Sequence, residues 1–258
     1  MTTKKTSLIP LFTLILCDTK RFLRVWSQSL IPPMLTSVLF ILIFGYSLGA
    51  RISEVEGVSY LNYILPGLLM MGVIMSAYMA SSFTLFLKKF QNSIQELLVA
   101  PIAYWQIIAG TTIAAILRAF LVGLGILLVS ILFTSIHIYN VWLLLLFMIL
   151  VCMLFAFAGI ATALWAKNFG QMSIFSTFLI TPLTYLGGVF YSIKMLPPFW
   201  AAAARFNPIL YMIDGFRYGF LGISDVPVIY SFAVVLSLTI IFFVLCVWMF
   251  KTGYKLRT

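Results

Sequence analysis

The sequence predicts an all-α integral membrane protein with six transmembrane helices, and three observations carry that expectation. Of 258 residues, 63% are hydrophobic and 9% are charged, whereas an ordinary soluble domain carries about a quarter charged residues. The charges are clustered, leaving neutral windows at 25–50, 57–87, 119–166, 168–193 and 226–250. Each exceeds the roughly 20 apolar residues that cross a bilayer as a helix. The Lys and Arg residues between the windows are distributed unequally over alternate loops, as a topology signal requires.

The elements follow in chain order. From Ser7 to about Trp26 the residues Leu8, Leu11, Phe12, Ile15, Phe22, Leu23 and Trp26 recur at helical spacing opposite Asp18, Lys20, Arg21 and Arg24. That pattern predicts a basic amphipathic helix on the membrane surface, within a segment 1–28. The first 24 residues lack a small-residue cleavage site after an apolar run, so the N-terminus is expected to be retained. Segment 29–190 holds spans one to five. The first lies near Leu30 to Ala50, with Pro32 and Pro33 at its start, and Arg51, Glu54 and Glu56 end it. The second runs from about Tyr60 to Leu87. The polar stretch Lys88 to Ala100 follows as a short cytoplasmic helix closed by Pro101, with Phe90, Ile94, Leu97 and Leu98 on one face.

The third span falls within Ile107 to Phe133 and the fourth covers Val141 to Ala166. The fifth runs from Gln171 to Phe190 and contains Pro182, where a kink is expected. In segment 191–225, two short helices near Pro198 to Ala204 and Pro208 to Leu221 reach only about 11 and 21 Å. A bilayer core is about 30 Å thick, so they are predicted as an extracellular re-entrant pair, the second capped by Asn207 and ended by Gly222. Segment 226–258 holds the sixth span, Val228 to Phe250, and a tail. With both termini cytoplasmic, eleven Lys and Arg residues lie inside and four outside, namely Arg51, Lys194, Arg205 and Arg217. That bias predicts an even number of spans.

Several function classes are excluded or disfavoured. The net charge of +10 is not gathered into an aromatic-interleaved patch of the nucleic-acid-binding kind. Cys17, Cys152 and Cys246 lack CxxC spacing and His137 is the single histidine, so neither a metal site nor a disulfide framework is expected. No GxxxxGK[ST] occurs, so no phosphate-cradling loop for ATP is encoded. Six scattered acidic residues supply no obvious catalytic constellation. An ATP-independent channel or secondary carrier would usually show inverted repeats, and no such repeat is evident.

Three charged residues stand out as possible pathway or gate positions. Arg118 is the one charge within a predicted span, and such a charge is a functional candidate by default. It is alternatively a snorkelling residue, if the span begins at Ala119. Asp214 and Arg217, three apart on a helix, can pair on one face, either as a structural pair or as a gate. The aromatics Phe199, Trp200, Phe206, Tyr211, Phe216, Tyr218 and Phe220 read as an interfacial belt or, as a second reading, an exit lining.

The stretches QELLVAP from Gln95, TPLTYLGGVFYSIKMLPPFW from Thr181 and FNPILYMIDGFRYGFLGISDVP from Phe206 resemble permeases of ABC-2 type exporters over essentially the whole chain. More distantly, the sequence is similar to permeases for nodulation factors, drugs and surface polysaccharides. The resemblance implies a bacterial inner-membrane homodimer, surrounded by lipid, that works with a separate cytoplasmic ABC ATPase. ATP and Mg would bind that partner, and this chain would bind no cofactor. It further implies that Lys88 to Ala100 is the coupling helix, with Phe90, Ile94, Glu96 and Leu97 meeting the ATPase. The cargo would be a drug, lipid, glycolipid or polysaccharide, and the family has no portable substrate motif.

Overall fold

In the computed structural model, residues 8–49, 54–91, 93–94, 102–135 and 138–255 are described. Helix α1 spans Ile9–Arg24 and is divided from α2, Trp26–Phe40, by the single non-helical residue Val25 (φ −120°, ψ 29°). Leu14, Asp18 and Phe22 form the buried stripe of α1, and Phe12, Leu16 and Leu23 face outward. The expected division into an apolar face and a charged face is therefore incomplete. Asp18 points into the bundle, where its carboxylate accepts from Lys88 Nζ at 2.9 Å.

Pro32 and Pro33 lie inside α2, six and seven residues after its first, instead of at the start of the span. Proline supplies no N–H to the preceding turn. The hydroxyls of Thr36 and Ser37 compact the helix locally by donating to the Pro32 and Pro33 carbonyls at 2.9 Å. A π-helical stretch, Ile41–Leu48, continues the chain. The connection to the next span contains a small hairpin, β1 (Glu54–Val55) and β2 (Val58–Ser59). Its two-residue turn, Glu56 at φ 53° and Gly57 at φ 81°, is of the kind that matches strand twist.

Helix α3, Tyr60–Phe90, is the centre of the fold. Seventy-eight per cent of its apolar window is buried, against 22% for α2 and for the final helix. It packs against α4 (Tyr104–Ser130) and α5 (Val141–Trp165). Small residues set these approaches, as expected where lipid provides no hydrophobic drive between helices. A Cβ on Gly159 would stand 2.2 Å from Ser81 Oγ and 2.6 Å from the Tyr78 carbonyl. Ala80, Ala115 and Ala156 form a small cluster of their own at the same three helices.

The predicted fifth span is broken into α6 (Phe169–Ile174), a π-helical stretch Phe175–Ile180, and α7 (Thr181–Tyr185). The change of helical pitch thus comes ahead of Pro182, and the Thr181 hydroxyl donates back to the Ser176 carbonyl at 2.8 Å. Among the described residues, five helices are long and apolar enough to cross a membrane, and this broken segment is not one of them. After a 3-10 turn at Ile193–Met195 come α8 (Pro198–Arg205) and α9 (Pro208–Leu221), and then α10 (Val228–Thr252). Asn207 caps α9 by accepting from the Ile209 N–H at 3.0 Å, and Gly222 ends it at φ 75°. Helix α9 lies within the bundle against α5, α10 and α3. Gly215 and Gly219 permit that, since a Cβ at these positions would meet Phe147 at 2.1 Å and the Leu144 backbone at 2.7 Å.

The closest helix approach gives a direct test. Gly159→Leu should destabilise the protein by about 3 kcal/mol, the upper range for overpacking. Gly170→Ala, at an exposed position with only Asn168 Oδ1 nearby at 3.4 Å, should leave stability unchanged. Thermal unfolding in detergent, followed by tryptophan fluorescence, measures both.

Candidate functional site

The antiparallel helices bring charged residues to the two ends of the bundle. One end gathers Lys88, Lys89, Lys167, Lys251 and Lys255, and the opposite end holds Glu54, Glu56, Asp214 and Asp225 with Lys194, Arg205 and Arg217.

At the basic end α3 does not stop at Leu87. It continues through Lys88, Lys89 and Phe90, and Gln91 begins a turn. Two buried ammonium groups fasten this last turn. Lys88 pairs with Asp18, and Lys89 Nζ donates to the carbonyls of Leu164 and Ala166 at 2.8 and 2.9 Å. Lys89 thereby serves carbonyls left without partners at the end of α5. Phe90 projects outward, 64% exposed, with its ring 5.5 Å from Phe169. Ile94 is 1% exposed and belongs to an apolar cluster with Leu85, Phe86, Ile107 and Ile108.

Phe90 and Ile94 consequently do not share one face, as a single helix from Lys88 to Ala100 would require. The helix ends between them, and the Ser93 hydroxyl folds back onto the Lys88 carbonyl at 3.1 Å. Glu96 and Leu97 lie outside the described residues.

At the opposite end, Arg217 and Asp214 are both 1% exposed, but they are not each other's ion-pair partners. The Arg217 guanidinium lies 4.1 Å from the Tyr63 ring centroid, donates to the Gly188 carbonyl and stands 4.0 Å from Asp225 Oδ2. Asp214 accepts the backbone N–H groups of Asp225 and Val226 at 2.7 and 3.1 Å. The Asp225 carboxylate also accepts from the Ser192 hydroxyl and, at 3.1 Å, from the Ile193 N–H. Asp214 therefore holds the loop that carries Asp225, and Asp225 joins that loop to Arg217 and to the 192–193 turn. Gly188, at φ 77°, turns its carbonyl to the guanidinium in a conformation that glycine adopts at little cost.

Nearby, Lys194 pairs with Glu56 at 2.9 Å, linking the 3-10 turn to the hairpin. That hydrogen bond holds its ammonium above the ordinary lysine value. Of the belt aromatics, Phe199, Trp200 and Phe206 are exposed, whereas Phe216 and Phe220 are buried in the core.

Arg118 is the fifteenth residue of α4, about 21 Å along it at 1.5 Å per residue. Its guanidinium carbon lies 5.6 Å from the Phe22 ring centroid of α1. The sequence could single out Arg118, Asp214 and Arg217 because charges within apolar segments are conspicuous. It could not single out Tyr63, Gly188, Ser192, Asp225, Asp18 or Lys89, whose partners are far away in the chain or are set by loop geometry. Among the described residues no cluster of His, Cys, Asp or Glu could hold a metal ion.

The family model for the ABC-2 type transporter matches residues 10–221. The chain is 43% identical over 238 residues to the inner membrane transport permease YadH of Escherichia coli (strain K12), covering 92% of this chain and 93% of the relative. It is 25% identical over 199 residues to Nodulation protein J of Rhizobium leguminosarum bv. viciae, covering 75% of each. A further relative, Nodulation protein J of Rhizobium meliloti (strain 1021), is 28% identical over 209 residues, 77% of this chain and 76% of the relative. A family model that covers residues 10–221 and a transport permease 43% identical over 92% of this chain together show that the chain belongs to the ABC-2 type transporter family.

Proposed function

We propose that this protein is the membrane-spanning permease of an ATP-driven exporter. Two copies, each with six spans, work with a separate cytoplasmic ATPase that binds ATP and Mg, and they move an amphipathic cargo out of the cytoplasm or its leaflet. The six-span reading counts residues 169–185 as a crossing, a kinked one of 17 residues. That length is at the lower limit for a bilayer. The segregation of lysines to one end supports an inner-membrane protein with that end, and both termini, in the cytoplasm.

The single observation that carries the proposal is the mechanical continuity of α3. Its 31 residues extend about 46 Å. The basic end is fastened to α1 and α5 by Lys88 and Lys89, and Tyr63 at the far end lies under Arg217. An ATPase gripping Phe90 and the residues that follow, with Glu96 and Leu97 as expected contacts, would therefore act on the most buried helix of the bundle. Rigid movement of that helix can switch the side on which a permease interface opens. The energy comes from the different affinity of the two conformations for the ATPase states.

The coupling test is a Phe90→Ala/Leu97→Ala double variant. It should fold with an unchanged melting profile, lose copurification with the ATPase and lose export. Retention of both would overturn the proposal. A second measurement addresses the far end. Arg217→Lys should fail to restore what Arg217→Ala loses, because one ammonium cannot both cover Tyr63 and reach Gly188 and Asp225. Loss of about 3 kcal/mol in unfolding stability is expected for the alanine variant, the scale for an orphaned buried ion-pair partner. Topology is read by impermeant maleimide labelling in a Cys17→Ser background. Lys194→Cys should react in intact cells, and Lys167→Cys only after the membrane is permeabilised.

A further inference from the structure

A cavity of about 380 Å³ opens between α1, α2, α3 and α4, at the half of the bundle that carries the lysines. Its polar wall includes Asp18, Arg21, Thr84, Thr111 and Arg118, and its apolar wall is formed by Phe22, Met79, Ala80 and Phe83. Asp18 contributes no net negative charge, since Lys88 neutralises it at 2.9 Å. Arg21 and Arg118 have no carboxylate partner among the described residues. Arg118 Nε is fully buried and without a hydrogen-bond partner among those residues. A buried guanidinium donor without an acceptor is costly, and an intramembrane arginine almost always has a counter-group.

The cavity therefore presents to one side two guanidiniums with no carboxylate at ion-pair distance, beside Asp18, whose Oδ1 also lacks a hydrogen-bond partner among the described residues, and hydrocarbon to the other. Phosphate-type oxygens suit the first wall, because the guanidinium fork matches them in geometry and charge. An acyl or isoprenyl chain suits the second, and the lining residue Phe83 is itself 45% exposed at the outer surface, as are Leu117 and Leu121 nearby on α4, at 44% and 38%. We infer that this cavity binds the anionic, phosphate-bearing headgroup of a membrane amphiphile, with Arg118 and Arg21 as its ligands and the chain directed toward the lipid-facing surface of α4. The site rests on the membrane character of the chain and not on ATP-driven export. Its failure would leave the proposed function standing, and a failed coupling test would leave the site standing.

The experiment is native mass spectrometry of the full-length protein in detergent, titrated with phosphatidylglycerol, phosphatidylcholine, dodecyl phosphate or inorganic phosphate. Phosphatidylglycerol should bind about tenfold more tightly than phosphatidylcholine, and dodecyl phosphate should compete with it. Arg118→Ala should weaken that binding about tenfold, the loss of one charged hydrogen bond, and Arg118→Lys should weaken it less. Arg21 is exposed, so Arg21→Ala preserves the fold and should also weaken binding. Arg205→Ala, at the opposite end, should have no effect. The inference is overturned by any of three results: no preference for the anionic lipid, equal loss in Arg205→Ala, or unchanged affinity in both folded Arg118→Ala and Arg21→Ala. Displacement of the lipid by millimolar inorganic phosphate would also overturn it, by identifying a site for free phosphate.

Discussion

Helix α3 is held by cations that have left water, and the rest of the bundle is arranged around that constraint. Hydrocarbon offers no hydrogen bonds, so every buried polar group needs a partner inside the protein. Lys88 and Lys89 find a carboxylate and two carbonyls. Arg217 of α9, over Tyr63 near the other end of α3, finds that aromatic face, a glycine carbonyl and Asp225. These partners come from α1, from the end of α5, and from the turns before α8 and after α9. Moving α3 without moving them would strand charges in a medium of low dielectric constant. Small residues at the crossings, such as Gly159 against Tyr78 and Ser81, then make it a tightly packed axis.

The two ends are fastened by different chemistry. The basic end uses ammonium groups that cap helix termini, so helix α3, helix α5 and the turn at 166–169 form one unit beside the exposed Phe90–Phe169 pair. The opposite end uses carboxylates that organise loops: Asp214 gathers the 225–226 backbone, and Asp225 gathers the 192–193 turn. Short helices α8 and α9 are thereby tied to the long helices without crossing the bundle.

Much of the architecture was legible in the chain. Neutral windows located the long helices, and Asn207, Pro208 and Gly222 located α9 to the residue, because caps and breakers act through local chemistry. Failures occurred where long-range partners override local pattern. Lys88 and Lys89 read as the beginning of a polar surface helix, yet both are buried by groups 70 to 77 residues away. Asp214 and Arg217 have the spacing of a helical ion pair, but Asp225 competes for the arginine and backbone N–H groups claim Asp214. Phe90 and Ile94 have the spacing of one face, but the helix ends between them. Pro32 and Pro33 mislead similarly, since a membrane helix tolerates prolines in its interior, and α2 runs on past them to Phe40.

Two of the helices carry wide turns, Ile41–Leu48 and Phe175–Ile180, and the aromatic rings beside them meet in one stack. Phe44 lies 4.5 Å from Phe190, and Phe40 and Tyr185 border the same ring at 5.4 and 6.3 Å. A wide turn stores one residue beyond the ordinary pitch. Conversion of such a stretch to ordinary α pitch would exchange each i→i+5 hydrogen bond for an i→i+4 bond and turn the chain beyond it by about 100°. The two wide stretches, far apart in the chain, are thereby joined through one aromatic cluster, which makes the packing of either stretch depend on that of the other.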